Sequence, residues 1–120
     1  MRKIFVVEDD QAIREILEVV FSFENYEVQS FSKVSEFAER DTSIEPDLYI
    51  FDVMLPDGSG IALCEEIKNN IHNKNVPVII MSAHAHLKNI TDTCQPDDFV
   101  PKPFDIDQLL VKVRDIIEKK

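Results

Sequence analysis

The sequence predicts an α/β domain with a doubly wound, five-stranded parallel sheet and helices on both faces. Three observations carry that expectation. Ile4-Phe5-Val6-Val7, Leu48-Tyr49-Ile50-Phe51, Val78-Ile79-Ile80-Met81 and Phe99-Val100 are continuous apolar runs, the pattern of strands covered on both sides. Stretches of helical periodicity alternate with these runs, the order of an α/β fold. Polar groups that can do chemistry follow the runs: Glu8-Asp9, Asp52, Ser82 and Lys102. In a parallel sheet all of them emerge at the carboxyl edge, where open α/β sheets hold their ligands.

Taken in order, the first run is a strand ending at Glu8. Ile13, Ile16, Leu17, Val20 and Phe21 then repeat at helical spacing. Residues 26–31 alternate apolar and polar, which suits an edge strand. Val34, Phe37 and Ala38 suggest a short helix with Ser32 as its N-cap. After the second run, Asp57-Gly58-Ser59-Gly60 opens a helix carrying Ile61, Cys64, Ile67 and Ile71. The third run ends at Ser82. The stretch 84–96 stands where a fourth helix belongs, but only Leu87, Ile90 and Cys94 supply apolar spacing. Asn89, Thr91 and Thr93 are mediocre helix formers and Pro96 closes the stretch, so a short or irregular helix is expected. It is also expected to be the least stable part of the domain. Ile106, Leu109, Leu110, Val113, Ile116 and Ile117 give a final amphipathic helix.

A chain of 120 residues with 44% hydrophobic and 30% charged residues suits one domain over 1–120 with a proper core. The net charge of -10 argues against direct nucleic-acid binding and favours a basic partner surface or a bound cation. No apolar stretch is long enough for a membrane span, and Glu8-Asp9-Asp10 ends the first apolar region too soon for a signal peptide. Cys64 and Cys94 form no CxxC pattern and are read as reduced thiols in a cytoplasmic protein. His84 and His86 lack a further nearby metal ligand and read as a polar loop, and His72 reads as surface. Clustered carboxylates repel one another unless a cation or proton joins them, so the acidic residues imply a divalent metal beside a reactive aspartate.

Val7-Glu8-Asp9-Asp10, Asp52-Val53-Met54-Leu55-Pro56-Asp57-Gly58, Ser82-Ala83 and Pro101-Lys102-Pro103-Phe104 occur in one chain in this order. Together they resemble the receiver domain of bacterial two-component response regulators over essentially the whole sequence. The resemblance implies a flavodoxin-like strand order 2-1-3-4-5. It implies that Asp52 accepts a phosphoryl group from a sensor histidine kinase or histidine phosphotransfer protein, forming an acyl phosphate. Glu8, Asp9, Asp52 and the Met54 backbone carbonyl would hold magnesium, Asp9 directly and Glu8 directly or through water. Phosphoryl transfer relies on positioning and charge, so one phosphoryl oxygen would meet the metal, another Lys102 and the third Ser82. The family has a cis bond before the second proline, here Lys102–Pro103. Ser82 and Phe99 match the switch pair, although Phe99 can equally be an aromatic that fills the core. Asp10 is outside the metal set and suits the positive N-terminus of the first helix.

The resemblance further implies a downstream protein target or tethered output domain, and chemistry limited to self-phosphorylation from phosphodonors and slow self-dephosphorylation. Two features depart from the family pattern. The spacing from Ser82 to Phe99 is short, and Gln95-Pro96 replaces the common glycine-alanine. The family's usual dimer is therefore not carried over. A phosphorylation-independent interaction module with the same fold is the alternative, disfavoured by the intact Asp9, Asp52, Ser82 and Lys102. A magnesium-dependent phosphohydrolase would need an acid two positions after its nucleophile, where Met54 stands. A flavin protein would need a phosphate cradle where Glu8-Asp9-Asp10 repel phosphate.

Overall fold

A computed structural model describes residues 2–71, 75–83 and 94–118 of the chain. The elements are β1 (Arg2–Val7), α1 (Gln11–Phe23), β2 (Tyr26–Phe31), α2 (Val34–Ala38), β3 (Leu48–Asp52), β4 (Met54–Leu55), β5 (Gly58–Ser59), α3 (Gly60–Asn69), β6 (Val78–Ser82), β7 (Asp98–Pro101) and α4 (Ile106–Glu118). Five of the strands form one parallel sheet in the order β2-β1-β3-β6-β7, which is the expected 2-1-3-4-5 arrangement. β4 and β5 are a small antiparallel pair in the connection after Asp52.

Side chains alternate across the sheet with a period of two, so each strand feeds two cores. Phe5, Val7, Tyr49, Phe51, Val78 and Ile80 pack on one face with Phe37 of α2 and Leu63, Cys64 and Ile67 of α3. Ile4, Val6, Leu48, Ile50, Ile79 and Met81 pack on the other with Leu17 and Phe21 of α1 and Leu109, Val113 and Ile117 of α4. Every residue of β3 and of β6 is buried, the physical reason those runs are unbroken. Phe5, Phe31, Phe37, Tyr49 and Phe51 meet largely edge to face, with neighbouring centroids 5.3–6.0 Å apart.

Helix ends show where local patterning was sufficient. Asp10 caps α1, its carboxylate accepting from the backbone N–H groups of Ala12 (2.8 Å) and Ile13 (3.3 Å). Asn25 ends that helix in the left-handed region, with φ 64°, and lets the chain turn directly into β2. Ser59 caps α3 through the Ile61 N–H. α3 stops at Asn69, so Ile71 lies beyond it and is exposed.

Besides Ile71, two further expectations are corrected. Ser32 does not cap α2: its own N–H and hydroxyl both donate to Glu36. The cap comes from Asp57, distant in sequence, whose carboxylate accepts from Val34 N–H (2.8 Å) and Ser35 N–H (3.0 Å). Cys64 and Cys94 are not separate thiols: they form a disulfide with Cα atoms 6.0 Å apart. Their separation of 30 residues concealed it, because α3 and the approach to β7 meet only in the folded chain. Of the weak stretch 84–96, residues 84–93 lie outside the described residues, as does His72, and 94–96 are not helical.

The Asp57 cap has a pH signature. Although Asp57 is exposed, desolvation by the adjoining chain pushes its carboxyl pKa up, but the N–H bonds it accepts outweigh this and hold it below the ordinary 3.8. A depressed carboxyl stabilises the fold above its unfolded value and loses that contribution as pH falls through the lower folded value. Asp57→Asn should therefore melt lower than the parent at neutral pH, and the two melting curves should converge as the pH falls below 3.8. A constant gap at all pH values would disprove the capping role.

Candidate phosphoryl-transfer site

The residues singled out by sequence converge at the carboxyl edge of β1, β3 and β6, beside the end of β7. β1 ends immediately before Glu8 and Asp9, and β3 ends on Asp52. Glu8, Asp9 and Asp52 each offer a carboxylate oxygen within 4.8 Å of the others. Glu8 is completely buried, Asp52 is buried and Asp9 is exposed. Lys102 closes the cluster. Its ammonium donates to Asp52 Oδ2 at 2.9 Å and to Glu8 Oε1.

Backbone pairing sets the aim of Lys102. Ser82 is the last residue of β6 and pairs with Pro101, and its carbonyl accepts the Lys102 N–H at 2.8 Å. The Lys102–Pro103 peptide is cis, as the resemblance implied. Ser82 is itself buried at this edge. Phe99 pairs with Ile80 across the sheet and is half-buried against the core face that contains Phe51 and Cys94. Met54 stands two residues past Asp52, where its N–H approaches Asp52 Oδ1 at 3.4 Å and the residue is 67% exposed.

Burial governs the charges. Desolvation pushes the Glu8 pKa up to about 7, although the hydrogen bond from Lys102 pulls it down, and the Asp52 carboxylate pushes it further up. Burial works against the Lys102 ammonium, but its bonds to Glu8 and Asp52 prevail and raise its pKa above 10.5. Three carboxylates against one ammonium leave an excess of negative charge that a cation would offset. Hard oxygen donors at this spacing, with Asp9 open to solvent, fit magnesium, which keeps several waters when bound.

Sequence reasoning missed three contributors. Arg14, in the first turns of α1, donates through Nη1 to the carbonyls of Glu8 (2.8 Å) and Asp9 (2.9 Å), which fixes the backbone of the acidic pair. Asp57 ties the loop after Asp52 to α2. Gly60 donates its N–H to the Val53 carbonyl at 3.2 Å and leaves no room for a side chain beside Asp52. The spacing of Arg14 from Asp9 was visible in the sequence, but its targets are main-chain oxygens, which leave no sequence signal. His84 and His86 lie outside the described residues.

A model of the response regulator receiver domain matches residues 4–114. The transcriptional regulatory protein GltR of Pseudomonas aeruginosa is 33% identical over 98% of this chain and 50% of its own length. A putative response regulator from Chloroflexus aurantiacus has a TM-score of 0.89 and 26% identity over 98% of each chain. The response regulator TrrA of Thermotoga maritima, solved in complex with Mg(2+)-BeF, has a TM-score of 0.83 and 30% identity over 97% of this chain and 99% of that one. The chain spans about half the length of the first relatives it matches. Phosphorylation-dependent switching is the function of this family. With its matched sequence, sheet order and acidic edge, the chain belongs to the response regulator receiver domain family.

Proposed function

We propose that this domain receives a phosphoryl group on Asp52 from the phosphohistidine of a sensor kinase or phosphotransfer protein and changes its interaction surface in response. The observation that carries this reading is the 2.9 Å contact between Lys102 Nζ and Asp52 Oδ2 inside the buried acidic cluster. Asp52 attacks phosphorus through a carboxylate oxygen, and the phosphohistidine nitrogen leaves. Lys102 exchanges its bond to the carboxylate for one to a phosphoryl oxygen. Ser82 donates its hydroxyl to another. Glu8, Asp9, Asp52 and the Met54 carbonyl would hold magnesium, which would supply positive charge against the negative charge gathered on the transferring group. Movement of Ser82 toward phosphate then draws Phe99 inward, which is the switch.

Chemistry on the domain's own part is limited to self-phosphorylation from phosphodonors and slow hydrolysis. A downstream target or tethered output domain reads the changed surface. Among the described residues no helix is long and apolar enough to cross a membrane. We place the domain in the cytoplasm, where such kinases present their phosphohistidine.

The test is incubation with acetyl phosphate, with magnesium or with a chelator, followed by intact mass. The expected result is one added phosphoryl unit only with magnesium. No addition under either condition would favour the phosphorylation-independent module. The ligand assignment has its own check: magnesium should raise the melting temperature of the parent, and Asp9→Asn should remove most of that rise. An unchanged rise would exclude Asp9.

Met54 bears on the lifetime of the phosphorylated form. Its thioether can cover the approach to Asp52 but cannot orient an attacking water by strong hydrogen bonding. Met54→Asn or Met54→Glu should therefore shorten the phosphoryl half-life several-fold while phosphorylation persists. Decay is followed after removal of the donor. An unchanged half-life in both variants would mean that water arrives from another side.

A further inference from the structure

The disulfide joins two elements that both lead into the site. Cys64 is fully buried in the middle of α3, and Cys94 is 4% exposed ahead of β7. α3 begins at Gly60, whose N–H bonds to Val53, the residue after Asp52. β7 carries Phe99 and leads to Lys102. One turn beyond Cys64, Lys68 fastens the same seam a second time: its ammonium donates to Asp97 Oδ2 at 2.8 Å and to the Val76 carbonyl at 3.4 Å. Asp97 Oδ2 also accepts the Val78 N–H at 2.8 Å, and the Asp97 N–H donates to the Val78 carbonyl at 2.7 Å.

The seam is held by packing and polar contacts as well as by the covalent fastening. Both cysteines sit in an apolar cluster with Phe51, Leu63, Ile67 and Ile80, where reduced thiols pack as small apolar side chains. The polar contacts of Lys68 and Asp97 lie on the same seam and do not involve the sulfurs.

We propose that Cys64 and Cys94 are a reversible thiol–disulfide site that exchanges with low-molecular-weight disulfides, and that closing the bond slows phosphorylation of Asp52 by holding β7 against α3. The second half rests on the reading of Asp52 given above. Cys94, the slightly less buried of the two residues and the neighbour of exposed Gln95, attacks a small disulfide as thiolate when the segment ahead of β7 opens, and releases one small thiol. Cys64 then attacks the Cys94 sulfur and expels the second. Two electrons and two protons pass from the protein dithiol to two small thiols, and excess thiol reverses the exchange. Movement of Phe99 and Ser82 requires the β6–β7 edge to yield. A bond that restrains this edge lowers the population of the shifted state and so the rate of phosphorylation.

The experiment treats the whole chain with oxidised glutathione or with dithiothreitol and removes the reagent. Thiols are then counted by alkylation and intact mass, melting is recorded, and phosphorylation by acetyl phosphate with magnesium is followed. Expected are loss of both thiols without added glutathione, a melting temperature higher by on the order of 10 °C in the closed form, and phosphorylation slowed several-fold. Cys64→Ala and Cys94→Ala should phosphorylate like the reduced parent after either treatment. Thiols that resist oxidised glutathione, or that stop at a mixed disulfide, would overturn the site. Equal phosphorylation of open and closed forms would overturn the coupling while the thiol count still established the site. Absence of phosphorylation in both forms would overturn the Asp52 reading and the coupling with it, again leaving the thiol count to decide the site.

Discussion

Asp52→Asn should leave the domain with no phosphorylated species after incubation with acetyl phosphate and magnesium, whereas the parent gains one phosphoryl unit. The carboxamide keeps the size and one oxygen of the carboxylate but lacks the charged nucleophile that forms an acyl phosphate. The other two carboxylates of the cluster cannot replace it on the same terms. Glu8 is completely buried and held by Lys102, and Asp9 is exposed and lacks the ammonium contact that Asp52 has at 2.9 Å. The fold should survive the change, because neutralising one of three clustered carboxylates removes like-charge repulsion. The melting temperature in chelator should accordingly not fall. Intact mass with and without donor, beside a melting curve, checks both statements. Full labelling of the variant would place the acceptor elsewhere.

Gly60→Ala should be the most damaging single methyl in the domain. A Cβ at this position would overlap the carbonyl oxygen of Asp52 and stand 2.8 Å from its carbon and 3.0 Å from Phe51 Cβ. The obstructing atoms are mainly backbone and cannot rotate away. Either the start of α3 lifts from the sheet or the end of β3 moves. Overpacking of this kind costs about 3 kcal/mol, which lowers melting by on the order of 10 °C in a domain of this size. The chemistry should suffer as well, since displacing a reacting group by about 1 Å can slow a reaction roughly 100-fold. Phosphorylation measured well below the melting temperature separates misplacement from unfolding. A variant that melts and phosphorylates like the parent would show that α3 and β3 approach each other less closely than described.

Neighbouring residues alone were enough to read the class of fold, the five strands of the main sheet and the edge at which the acidic residues gather. Continuous apolar runs have one economical explanation, burial on both faces, and β3 and β6 are buried at every residue. A residue that follows such a run must lie at the carboxyl edge, so Glu8, Asp9, Asp52 and Ser82 could be placed together before any geometry was known. Helix α1 and the favourable charge of Asp10 at its start were legible because Asp10 acts on residues two and three positions away.

Tertiary structure decided what depends on contacts between distant segments. Asp57 replaced Ser32 as the cap of α2 because the loop after Asp52 folds over that helix end, a contact spanning 23 residues. Cys64 met Cys94 because α3 and the approach to β7 share one core. Arg14 became part of the site through main-chain oxygens, and Gly60 through the absence of a side chain. Periodicity and local capping are written in neighbouring residues, which is why they can be read directly. Pairings across the sheet, and the space a side chain must not occupy, exist only after the chain has closed on itself.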